Sequence, residues 1–158
     1  MRERYVDPKS GLLFQAVDGH SGRPLDAPRG SGTLLGAYFL GLAGHPFARE
    51  LYLAARRELW APFMGFGATL EYPAEHAGGR GDIDSGPLVL GRSVSATGLM
   101  LGCARQQGDE AVFGEIYRSV HLFGAPTRQS GRVTFALGGP LGDAMMLALL
   151  TAQPEVAP

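Results

Sequence analysis

The sequence predicts a mainly α protein: an α/α-hairpin repeat, half of an α/α toroid, with short β-hairpins in the loops. Three observations predict it. Segments 33–43, 87–105 and 140–152 are apolar nearly all round, the pattern of inner, buried helices. Segments 47–60 and 110–123 instead carry apolar residues at helical spacing with charges between them, the pattern of outer helices. The glycine-rich stretches Gly30-Ser31-Gly32, Asp84-Ser85-Gly86-Pro87 and Gly138-Gly139-Pro140 recur before the apolar segments. Aligned on Gly32, Gly86 and Gly139, they are separated by steps of 54 and 53 residues. A fixed period of this size marks repeats that bury their faces against neighbours. The competing reading is a plain helical bundle with similar caps.

Taken in order, residues 1–32 are turn-rich. Residues 11–17 read as a short strand, Asp18-Gly19-His20-Ser21-Gly22 as a turn, and Arg23-Pro24-Leu25 as the returning arm of a hairpin. Ser31 is placed as the cap of the first inner helix, which Gly44-His45-Pro46 ends. The first outer helix follows, with Phe47, Leu51, Ala54, Ala55 and Leu59 on one face. Residues 61–80 show no clear periodicity. A loop of that length is functional or conceals a strand, here placed at 68–72. Gln106-Gln107-Gly108-Asp109 breaks the second inner helix and caps the second outer one, where Phe113, Ile116, Tyr117 and Val120 share a face. Gln129-Ser130-Gly131-Arg132 is a hairpin turn, and the tail 153–158 is expected to fray.

The 158 residues suffice for one domain with a sizeable core. It divides into an irregular segment, 1–28, and successive repeats at 29–80, 81–137 and 138–152. The apolar fraction of 45% is ordinary for a globular protein, and the charged fraction of 18% is low. A net charge of −1 argues against a nucleic-acid partner, because few phosphates would be neutralised. One lysine stands against thirteen arginines, a skew that reads as base composition rather than chemistry. Cys103 is the single cysteine, so one chain can form neither a disulfide nor a cysteine-based zinc site. That fits a reducing compartment, and a cytoplasmic location is expected. The N-terminus has no apolar run, so no signal peptide is expected. The windows 87–104 and 135–152 contain Arg92 or Asp143 and several glycines. They are shorter or more polar than a spanning helix, which argues against membrane association.

The stretch 81–91 draws the candidate chemistry together. Asp82 and Asp84 stand two residues apart, before the expected start of the second inner helix. Asp84 or Ser85 is the expected N-cap, and Pro87 suits the first turn. Both carboxylates would then lie near the positive end of the helix dipole. In an extended segment, residues two apart face one side, hence one cavity. The plainer reading is that one aspartate caps the helix and the other is solvated.

Arg80-Gly81-Asp82-Ile83-Asp84-Ser85-Gly86-Pro87, followed by Ser93-Val94-Ser95-Ala96-Thr97-Gly98, resembles the later hairpins of α/α-toroid enzymes. The nearest comparisons are the linalool dehydratase/isomerase-like proteins and the six-hairpin glycosidases. The resemblance covers residues 25–151 and rests on the placement of glycines and acids. It implies an active site in a central cavity, on the loops leading into the inner helices, where acidic, aromatic and histidine residues carry acid/base chemistry. The chain has about half the hairpins of such an enzyme, so catalytic residues supplied by the other half are missing here. An open half would leave apolar helix faces in water, so a homo-oligomer or a partner chain completing the toroid is expected.

In a toroid these loops gather at one end, where Arg29, Ser31, Glu71, Tyr72, His76, Asp82, Asp84, Ser85 and Asp143 would converge. Asp82, Asp84 and Glu71 are the catalytic candidates, since two carboxylates with separated pKa values act as acid and base. Arg29, Ser31, Tyr72, His76 and Ser85 are the substrate-binding candidates. Arg29 has a structural alternative, an ion pair with Asp82 or Asp84. Asp143 is explained by the dipole of the third inner helix. No two histidines stand at i, i+4, so no helical metal motif exists, and neither a metal nor another cofactor is expected; His76 with Asp82 and Asp84 is the one alternative weighed. Cys103 reads as a small core residue. The glycine-rich stretches resemble phosphate-binding loops only superficially.

Three functions follow. The leading one is a toroid enzyme, or a portion of one, acting on a carbohydrate or a small hydroxylated molecule such as a terpenoid alcohol. It would be a glycoside hydrolase or a lyase/isomerase working by carboxylate acid/base chemistry. The alternative is a non-catalytic helical-repeat module for binding or assembly, its acids serving as caps and ion pairs. The third is a binder of small ligands that retains the cavity without the chemistry.

Overall fold

The computed structural model describes residues 2–136 and 139–153. After a single turn, α1 (Arg2–Tyr5), come α2 (Gly30–Leu42), α3 (Phe47–Leu59), a 3-10 turn (Ala74–His76), β1 (Leu88–Val89) and β2 (Arg92–Ser93). Then follow α4 (Val94–Gln107), α5 (Glu110–Phe123), β3 (Pro126–Gln129), β4 (Arg132–Phe135) and α6 (Gly139–Thr151). The protein is mainly α, with two small antiparallel hairpins, β1–β2 and β3–β4.

The helices sort by the distribution of their apolar residues. The apolar helices pack together, α4 lying between α2 and α6, while amphipathic α3 packs on α2 and amphipathic α5 on α4. α3 buries Leu51, Tyr52, Ala54, Ala55 and Leu59; α5 buries Val112, Ile116 and Ser119. All of these except Ser119, which donates to the Gly67 carbonyl, meet Leu34, Met100, Leu101 and Cys103 in one core. The middle helix is the tightest place. A Cβ at Gly102 would stand 2.6 Å from Leu149 of α6 and 2.9 Å from Tyr38 of α2. The missing side chain lets both neighbours close on α4. The polar edge of the same contact is a hydrogen bond from Gln106 Nε2 to the Tyr38 carbonyl, 3.1 Å.

The two ends of the α2–α4–α6 row differ. Residues 12–15 cover the first turns of α2 on the side that faces away from α4, while Leu35, Phe39 and Leu42 stay exposed. Leu13 donates its N–H to Thr33 Oγ1 at 2.9 Å, and its carbonyl accepts from Arg29 N at 3.1 Å. Its side chain lies on Gly36, and the Gln15 side chain lies over Gly32. At about 100° per residue, both glycines lie roughly opposite Leu34, which meets α4 through Cys103. The same segment makes the expected N-terminal hairpin, with Val17 bridged to Pro24 and Leu25 N bonded to the Ala16 carbonyl at 3.0 Å. At the other end, α6 carries exposed Leu141, Met145 and Leu147.

The outer helices begin and end within one residue of their expected positions. The turn at 129–132 joins β3 to β4, as expected. Residues 69–71 are extended, bonded on one side to 59–61 and on the other to 91–93, where the short strand was expected.

The second inner helix requires a correction: it starts at Val94, not at 87. Residues 88–93 turn back as β1–β2 through Leu90 and Gly91, both with positive φ, which no helix accommodates. The cap is Ser93, whose Oγ accepts Ala96 N at 3.1 Å, and neither Asp84 nor Ser85. Pro87 is in no first turn, and Asp82 and Asp84 precede α4 in a separate turn rather than standing at its start. α2 begins at Gly30, so Ser31 lies inside the helix rather than capping it. Helix starts at 30, 94 and 139 do not follow the glycine spacing of 54 and 53. Gly138 and the tail 154–158 lie outside the described residues. Among those described, no helix is long and apolar enough to cross a membrane.

Gly102→Val tests the close packing of α4. It should cost about 1–3 kcal/mol by overpacking, read as a lower urea midpoint, whereas valine at exposed Ala43 should change little.

Candidate functional site

The site begins with the extended run at 69–71, which passes under the first turn of α2. Gly30 N donates to the Glu71 carbonyl at 2.7 Å. Ser31 donates twice to the Glu71 carboxylate, from Oγ at 2.6 Å and from its backbone N–H at 3.3 Å. The Arg29 side chain makes no cap bond, so Glu71 caps α2 from 40 residues away. A Cβ at Gly30 would stand 2.6 Å from the Leu70 carbonyl oxygen, so only glycine lets the helix start this close. Glu71 is fully buried. Burial raises its pKa above the usual carboxylate range, against the lowering effect of the Ser31 and Ser93 hydroxyls, the Ser31 N–H and Arg29.

The loop at 81–87 is folded around Asp82. Its Oδ1 accepts the N–H groups of Ser85 at 3.0 Å and Asp84 at 3.1 Å, and its own N–H donates to Ser85 Oγ at 2.9 Å. Ser85 is fully buried, and its carbonyl accepts Ser93 Oγ at 2.9 Å, tying the loop to the cap of α4. Asp82 Oδ2 accepts Arg29 Nη1, and Asp26 Oδ2 accepts Arg29 Nη2 at 2.6 Å. The guanidinium lies 5.4 Å from the centroid of the Tyr72 ring. The backbone N–H of Ser85, with Arg29 next, lowers the Asp82 pKa to about 2. Arg29 is nine-tenths buried, and its bonds to the two aspartates more than offset burial, so it stays charged.

Arg29, Ser31, Glu71, Tyr72, Asp82 and Ser85 are therefore brought together. Asp84 is at the exposed rim, where its carboxylate accepts Gln15 Nε2 at 3.2 Å. His76 is elsewhere, in the 3-10 turn. It lines an open groove of about 600 Å³ with Asp7, Lys9, Phe14, Asp26 and Glu75. Asp143 is also elsewhere, accepting Phe135 N at 2.6 Å. Cys103 is in the core, where burial pushes its thiol up to about 12, far from a reactive thiolate. Among the described residues, no three His, Cys, Asp or Glu side chains gather into a metal-binding set.

Sequence reasoning missed Asp26, Gln15 and Ser93. Two of them left a signal: Asp26 is three residues before Arg29, and Ser93 directly precedes an apolar run. Gln15 left none. Chemically, the cluster pairs a buried carboxyl of raised pKa with an ionised one of lowered pKa, which separates acid from base. Yet both oxygens of Glu71 are engaged by Ser31 and sealed from solvent, and Asp82 is bound to Arg29. Compared with known proteins, the chain matches no protein family and no curated sequence.

The two acids should give opposite pH dependences. Asp82 has a lowered folded pKa, so its stabilisation is present above the reference value of 3.8 and is lost as pH falls towards about 2. Asp82→Asn should flatten that part of the acid unfolding curve. Glu71 has a raised folded pKa, so its contribution is full below 4.5 and is lost as pH rises through the folded value. Glu71→Gln should flatten that limb. Glu71→Ala leaves buried Ser31 donors unpaired and should cost about 3 kcal/mol, measured by urea unfolding at neutral pH.

Proposed function

We propose that this chain is a non-catalytic helical-repeat module, formed as half of an α/α toroid, that serves binding or assembly. The observation that carries this reading is the placement of Glu71. A general acid or base must come within about 3 Å of the proton it moves, and Glu71 has no exposed surface. Asp82 is held by Arg29 and by two backbone N–H groups, a constellation that orders a loop and tethers it to α2 and α4. The carboxylates lining the open groove are engaged too: Asp7 by Ser10, Asp26 by Arg29 and Glu75 by Lys9. The toroid half is supported by the alternation of inner helices α2, α4 and α6 with outer helices α3 and α5. An assembly role is supported by the apolar side chains left exposed on α2 and α6.

The enzyme reading, hydrolysis of a glycoside or dehydration and isomerisation of a small alcohol, draws on one observation. Asp84 is exposed and its carboxylate accepts a single hydrogen bond from Gln15. A panel of aryl glycosides and terpenoid alcohols, assayed with the wild type, Asp82→Asn, Asp84→Asn and Glu71→Gln, separates the two readings. The expected outcome is no carboxylate-dependent turnover. Turnover abolished by Asp84→Asn or Asp82→Asn, with the circular dichroism spectrum and melting temperature retained, would overturn the module in favour of the enzyme.

A further inference from the structure

We draw no further inference here: the strongest candidate, the open groove of about 600 Å³ between residues 7–28 and the 3-10 turn at Ala74–His76, is lined by carboxylates already engaged by Ser10, Arg29 and Lys9, and nothing in the structure shows what it would hold.

Discussion

The Glu71 carboxylate beneath the first turn of α2 is the constraint from which much of this structure follows. A helix start leaves backbone N–H groups without partners, and here the residue at the cap position is Arg29, whose side chain is drawn away to two aspartates. The acceptor must come from elsewhere in the chain. Glu71 supplies it with a backbone carbonyl and two carboxylate oxygens, and glycine at position 30 leaves the space. To deliver those atoms, residues 69–71 must run extended between the end of α3 and the β2 strand, and that path sets where α4 can begin. The buried Ser85 and the cap residue Ser93 continue the linkage, so the starts of α2 and α4 are held by one polar network.

Packing imposes the second constraint. Three apolar helices side by side bury a large area only if the middle one is slim where both neighbours approach, and Gly102 meets that need. The outer helices then require a single apolar stripe each. The two edges of the row differ: the N-terminal segment covers the first turns of α2 and leaves Leu35, Phe39 and Leu42 exposed, whereas the α6 edge carries exposed Leu141, Met145 and Leu147. Exposed apolar side chains therefore remain at both ends of the row for another surface to cover.

The acidic residues show how closely a structural network can mimic a catalytic one. Carboxylates of separated pKa, an arginine, a tyrosine ring and serine hydroxyls gathered at helix starts describe both. Access separates them. Burial raises the Glu71 pKa as it would in a general acid, but the same burial removes it from any substrate; the lowered pKa of Asp82 reflects backbone N–H groups and an arginine that hold a loop in place. The candidate site was thus legible as a set of residues, since six of the eight predicted positions come together. Its geometry was not, because Asp26 and Gln15 join it through contacts that no local pattern encodes.

The sequence by itself determined the elements with an unambiguous period. The outer helices were legible because Leu51, Ala55 and Leu59, like Phe113, Ile116 and Val120, recur at the helical repeat, although α5 buries Val112, Ile116 and Ser119 and leaves Tyr117, expected on the same face, exposed. The turn at Ser130-Gly131 was legible from its residues, but uniform apolarity did not foretell burial: among its described residues α6 buries only Leu149, and Leu35 and Phe39 of α2 are exposed. The tertiary structure alone decided the start of α4. Leu88-Val89-Leu90 is apolar enough for either a helix or a strand, and only the pairing of 91–93 with the extended run at 69–71 selects the hairpin. It also decided that evenly spaced glycines mark no structural period. Gly32 lies beneath Gln15, Gly86 in the Asp82 turn and Gly139 at the start of α6, three places whose equivalence holds in the letters and not in space. The physical reason is that a glycine or a short apolar run permits several backbone paths, and long-range contacts choose among them.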